Sequence, residues 1–201
     1  MDYVSAMRIY SVWLNNREVV DSMAGWIKIY TGPMFSRKTE ELMVEMHRYQ
    51  IAKKEVKLFK HSLDTRYGDG VISHDGHSMP GMKVSSSAEI LAFSKDADVI
   101  GIDEAQFFDE KIVDVVQQLA DQGKRVVLAG LDKDYMGRPF GSMPYLLAIA
   151  DEVVKLTAVC SVCGSPATFT VRLSGSSEEV LVGGLGVYEP RCRDHRHTTT
   201  E

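Results

Sequence analysis

A chain of 201 residues is long enough for one domain with a substantial core and a small appended module. Its 44% apolar and 25% charged residues exclude a disordered chain, and no apolar run reaches the roughly 18 residues that a membrane span needs. The net charge of −5 argues against a non-specific grip on nucleic acid, which relies on clustered Lys and Arg, so the expected partner is a small molecule, with neither nucleic acid nor membrane.

Residues 1–24 carry no clear period and form an unassigned extension. Within them IYSVWL is too brief for a secretory h-region, so a cytoplasmic protein is expected. WIKIYTGP then begins a strand that ends in a loop, and Leu42, Met43, Met46 and Tyr49 recur at helical spacing through TEELMVEMHRYQIAKK. EVKLFK alternates as a second strand, and SLDTRYGDGVISHDG, rich in turn formers, reads as an excursion. ADVIGIDEAQFF is an apolar run ending in two acids, as a buried parallel strand would be if it delivered carboxylates to its C-terminal edge. Glu110 to Gln122 carries Ile112, Val113, Val116, Leu119 and Ala120 at helical spacing and stops at Gly123; RVVLAGLD is the next buried strand. Alternating strands and helices imply an α/β fold with a parallel sheet and a ligand at the strands' carboxyl ends. The expected division is residues 25–156 as the α/β domain and 157–201, where cysteines, short β-like runs and glycines take over, as a small C-terminal module.

The stretch GPMFSRKT, residues 32–39, comes within one letter of the phosphate-binding pattern G-x-x-x-x-G-K-[ST], with Gly32, Lys38 and Thr39 in register and Arg37 where the pattern has glycine. Alone it also reads as a turn before a helix, but between a strand and an amphipathic helix it sits where free N–H groups and the helix dipole favour an anion. In that pattern the lysine reaches the outer phosphates and the hydroxyl serves Mg²⁺. Asp103 at the end of the apolar strand supplies the oxygen ligand such a metal needs, and Glu104 is placed to accept a proton from an attacking hydroxyl. The alternative for both is a solvated strand end.

Cys160 and Cys163 form C-x-x-C, and Cys192 with His195 forms C-x-x-H. Two such pairs suit a closed, structural zinc site, with His197 as an alternative fourth ligand and free thiols as the other reading. The pairs bracket a loop containing SSEEVLVGGLGVYEP, whose backbone and Tyr188 could fold over a ligand.

GPMFSRKTEEL read around Arg37, DTRY at residues 64–67, IDEAQFF, AGLDKDYMGRPFG, KLTAVCSVCGSPAT, VGG with Tyr188, and EPRCRDH resemble, in order, the type II thymidine kinases. The resemblance runs from about Trp26 to His195. It implies a RecA-like P-loop domain with a zinc-binding lasso domain, a cytoplasmic homotetramer, and transfer of the γ-phosphoryl of ATP to the 5′-hydroxyl of thymidine or deoxyuridine. By the same resemblance Gly32, Pro33, Met34, Phe35, Ser36, Arg37, Lys38 and Thr39 cradle ATP, joined by Asp103, Glu104, Ala105 and Gln106. Thr39, Asp103 and Asp64 serve Mg²⁺; Glu104 is the general base, and Lys38 and Arg66 act at the phosphates. Met34, Phe107, Leu131, Tyr135 and Phe140 surround the nucleoside base, and Glu179, Val180, Leu181, Val182 and Gly183 with Tyr188 form the lasso over it. The family has glycine where this chain has Arg37. A side chain in a strained loop costs about 1–3 kcal/mol, so weaker ATP binding and reduced activity are expected, with a catalytically impaired nucleoside-binding relative as the alternative.

Overall fold

The computed structural model describes residues 25–63, 71–72, 78–173 and 186–197. Strand β1 (Trp26–Thr31) is followed by helix α1 (Lys38–Ile51), β2 (Val56–His61), the short pair β3 (Val71–Ile72) and β4 (Ser78–Met79), then β5 (Met82–Val84) and α2 (Ser87–Phe93). Next come β6 (Val99–Asp103), a single 3₁₀ turn (Ala105–Phe107), α3 (Ile112–Asp121), β7 (Arg125–Gly130), α4 (Met143–Ile149) and β8 (Glu152–Lys155). Four short strands close the described chain: β9 (Ala158–Val159), β10 (Pro166–Ala167), β11 (Phe169–Arg172) and β12 (Tyr188–Arg191).

Six strands form one parallel sheet in the order β5-β2-β6-β7-β1-β8. β6 is buried at every position, VIGID, as a central parallel strand covered on both faces must be. Alternation sorts the side chains: Ile27, Ile29, Ile100, Ile102, Val126 and Leu128 pack on one face with Ile112, Val116, Leu119, Met143 and Leu146 from α3 and α4. Tyr30, Val99, Val127 and Ala129 meet Leu42, Met43 and Met46 of α1 on the other. Each such side chain, fully withdrawn from water, stabilises the fold by about 1.5–3 kcal/mol.

The amphipathic pattern expected over Glu110–Gln122 is helical only from Ile112, because Ile112 N–H bonds to the Asp109 carbonyl in a turn and the Asp109 carboxylate holds Lys111 N–H. Its end is as read: Gly123, at φ 82°, donates to Ala120 O, and Lys124 to Leu119 O. The turn-rich excursion after β2 contains the β3–β4 ribbon, with Val71 opposite Met79. The RVVLAGLD strand stops at Gly130, since Leu131 N–H leaves the ladder for the Gln106 side chain.

Candidate functional site

Three adjacent strands, β6, β7 and β1, deliver the site at their carboxyl ends. Beyond Thr31, whose hydroxyl donates to Gly130 O at 3.0 Å, the chain turns through Gly32 at φ +148°, where a Cβ would lie 2.4 Å from Leu156 O. Only glycine lets the loop leave the sheet there. The loop is tied internally: the Ser36 hydroxyl donates to Pro33 O at 2.8 Å, and the Lys38 ammonium to the same carbonyl at 2.6 Å. Phe35 and Arg37 both hold left-handed backbone at φ 65°. Arg37, exposed, is the residue from which α1 starts, and no side chain caps that first turn. The position where the phosphate-loop pattern has glycine thus has the backbone geometry that favours glycine.

Asp103 ends β6 buried, and its two carboxylate oxygens lie 3.1 and 3.3 Å from the Thr39 hydroxyl. A hydroxyl and a carboxylate brought together beside a phosphate loop are hard oxygen donors of the kind Mg²⁺ accepts. Glu104 is left-handed at φ 53° and starts the 3₁₀ turn, so its side chain departs from the direction the strand would impose. Gln106 bridges two strand ends: its amide donates to the Glu104 carboxylate at 2.6 Å and accepts Leu131 N–H at 2.9 Å. Ala105 is buried beside it.

Beyond the acids lies an aromatic wall. Phe107 and Phe140 meet edge to face with ring centroids 5.9 Å apart. Gly141, at φ +48°, permits this, because a Cβ there would lie 2.5 Å from Gln106 O. Leu131 opens the segment that carries Tyr135, and its neighbour Asp132 anchors that segment through Lys133 at 2.9 Å and Lys155 at 2.8 Å. Burial alone would raise the Asp132 carboxyl, but the two ammonium groups overrule it and hold it below the usual carboxylate range. The amide of Met34 donates to the Thr170 hydroxyl at 2.9 Å, which joins the phosphate loop to β11.

Cys160, Cys163, Cys192 and His195 converge, their donor atoms all within 4.8 Å of one another. The Cys163 and Cys192 sulfurs are 3.8 Å apart, and His195 Nδ1 is 3.2 Å from Cys192 Sγ. Two sulfurs each about 2.3 Å from a tetrahedral zinc would be separated by about 3.8 Å, so the donor set fits the ion. Of the two histidines, His195 stands in the cluster, while His197 accepts the Arg196 guanidinium at 3.0 Å. Burial pushes the Cys160 thiol up, yet the N–H groups of Cys192, Val162 and Cys163 converge on it and bring it down to about 6. Cys192 moves the other way, raised by burial and by the neighbouring thiols.

Asp64, Arg66 and the lasso residues Glu179, Val180, Leu181, Val182 and Gly183 lie outside the described residues, as do residues 1–24. Sequence reasoning missed Asp132, Thr170 and Arg172. The available signal was β11 itself: in FTVR a threonine and an arginine alternate with apolar residues, and all four positions are buried.

A family model described as thymidine kinase matches residues 25–196. The chain is 51% identical over 170 residues to a thymidine kinase of Rhodothermus sp. (strain ITI 518), covering 84% of this chain and 80% of the relative. It is 50% identical over 171 residues to one of Bacteroides thetaiotaomicron, covering 85% and 86%. With a thymidine kinase of Porphyromonas gingivalis it shares 48% identity over 181 residues, 90% of this chain and 89% of that one.

Proposed function

The chain belongs to the thymidine kinase family, and on that premise we propose that it transfers the γ-phosphoryl of ATP to the 5′-hydroxyl of thymidine, and of deoxyuridine, yielding ADP and the nucleoside monophosphate. The observation that carries the reading is the meeting of Thr39 with Asp103 beside the phosphate loop, with Glu104 as the next residue. Phosphoryl transfer asks little covalent chemistry of a protein; positioning and charge stabilisation do most of it.

In this reading the loop of residues 32–39 holds the triphosphate through its backbone N–H groups, apart from Pro33, which has none, and Met34, whose N–H is held by Thr170, and Lys38 exchanges its contact with Pro33 O for the outer phosphates. Thr39 and Asp103 would hold magnesium, with Asp64 assisting as the resemblance implies, and the ion would supply positive charge to the phosphates. Arg66 stabilises charge at the transferring group. Glu104 takes the proton from the 5′-hydroxyl as it attacks, and Gln106 aims that carboxylate. Met34, Phe107, Leu131, Tyr135 and Phe140 enclose the base, with Tyr188 and residues 179–183 closing over it. Water is excluded there, which strengthens each electrostatic contact. Cys160, Cys163, Cys192 and His195 would hold a zinc ion that ties the base of that segment. No helix among the described residues is long and apolar enough to cross a membrane, and the reading is completed by a cytoplasmic homotetramer acting on small molecules alone. Retention of Lys38, Asp103 and Glu104 speaks against an inactive nucleoside binder, because a site released from catalysis has no physical need for all three.

The test is ADP release with and without thymidine, in the original chain and in Glu104→Gln. Thymidine-dependent turnover is expected in the first. The substitution is expected to remove roughly two decades or more of kcat while ATP still binds, since only the proton acceptor is lost. Release indifferent to thymidine, or full turnover in Glu104→Gln, overturns the assignment.

A further inference from the structure

Arg172 is a buried cation on the last position of β11, only 7% exposed. Its guanidinium carbon lies 3.8 Å from the centroid of the Tyr135 ring, and Nη2 donates to the Tyr188 hydroxyl at 2.8 Å. Tyr188 faces it across the antiparallel β11–β12 pair. Tyr135 belongs to a different segment, a turn locked by Asp134, whose carboxylate accepts the N–H groups of Met136 and Arg138 and the Arg138 guanidinium at 2.8–2.9 Å. Between that turn and β11 opens a cavity of about 430 Å³, lined by Tyr135, Phe169, Thr170 and Arg172 among others.

We propose that Arg172 is a positioning residue for the nucleoside: its guanidinium, stacked on Tyr135 and bonded to the Tyr188 phenol, fixes the orientation of the two aromatic side chains that enclose the base. The inference rests on the reading that Tyr135 and Tyr188 enclose the base. β11 and β12 are already paired by backbone hydrogen bonds from Phe169–Arg191 to Arg172–Tyr188, and the Cys and His cluster lies at the other end of the ribbon. Pairing of the ribbon therefore does not need the guanidinium, whereas the rotamers of Tyr135 and Tyr188 do. A flat cation stacked on one ring and donating in its own plane to another hydroxyl is a task for arginine; a lysine offers the charge without the plane.

The experiment measures thymidine KM, ATP KM, zinc content and Tm for the full-length, zinc-loaded chain carrying Arg172→Met, Arg172→Lys, Tyr135→Leu, Tyr188→Phe, and Arg172→Met with Tyr188→Phe. Arg172→Met is expected to raise the thymidine KM about tenfold, Arg172→Lys about threefold, with ATP KM unchanged, and the double substitution to cost less than the product of its parts. If the tyrosine variants raise the thymidine KM and the Arg172 variants do not, or if the Arg172 variants raise both KM values alike, the positioning role is overturned while the pocket reading stands. If neither tyrosine variant moves the thymidine KM, or the original chain does not bind thymidine, the pocket reading falls and takes this inference with it. Should Arg172→Met lose zinc or melt early, Arg172→Lys decides: a raised thymidine KM at unchanged Tm sustains the role, and an unchanged KM ends it.

Discussion

At the scale of single residues, Arg37 is where this chain departs from the phosphate-loop pattern, and its backbone explains why the pattern has glycine. A non-glycine residue at φ 65° carries about 1–3 kcal/mol of strain, which persists only because the surrounding structure holds it there. Phe35 carries the same conformation two residues earlier, so the loop is bent left-handed twice before α1 begins. The arginine brings a cation to a helix N-terminus, unfavourable for the helix dipole and favourable for phosphate oxygens. Arg37→Gly is expected to raise kcat/KM for ATP by roughly tenfold, because a side chain that crowds the phosphates is removed. Steady-state kinetics on the two chains decides it: an unchanged or lower kcat/KM means that the guanidinium contributes at least as much through charge as its bulk costs.

At the scale of elements, the connection from β7 to α4 is held to the end of β8 by one buried carboxylate. Asp132 pairs with Lys133 beside it and with Lys155 on β8, and its carboxyl lies below the usual range in the folded protein. A carboxyl lowered on folding contributes its full stability above its unfolded value, about 4, and loses it as the pH falls through the folded value. Lys155 is largely solvated, so the contribution is the modest one of a screened pair. Asp132→Asn is expected to lower Tm by about 2–6 °C at pH 7, with the difference shrinking as the pH falls below the ordinary carboxylate range. Thermal melts of both chains from pH 7 downward check this, and a difference that stays constant would mean that the loss is one of packing instead of charge. The periodicity of α1 and α3 was legible in the sequence because each buries one stripe against one face of the sheet. β5, α2, α4 and β8 were not, being three to seven residues long, too short for a period to show.

At the scale of the molecule, the Cys and His cluster and the carboxyl edge of the sheet are joined through β11: Thr170 takes the Met34 N–H from the phosphate loop, and Arg172 reaches Tyr135. The two ligand pairs bracket the segment proposed to close over the nucleoside, so loss of the metal is expected to be felt in thymidine binding more than in ATP binding. Metal analysis is expected to find one zinc per chain, and Cys160→Ser to raise the thymidine KM with ATP KM little changed. A fully folded, metal-free protein would refute the four-ligand site, and an unchanged thymidine KM would detach the metal from the pocket.

The sequence by itself determined what short-range spacing encodes: an α/β alternation, a glycine-to-threonine loop between a strand and a helix, two acids at the end of an apolar strand, and paired cysteines with a histidine. It also carried enough ordered motifs to indicate the family that the comparisons bear out. Tertiary structure alone decided the strand order, the choice of His195 over His197, the left-handed turn at Arg37, and the burial of Arg172 between two distant tyrosines. Each of these depends on how segments come together in space. Local periodicity reports only the face a residue turns inward, while its partner on that face is chosen by packing.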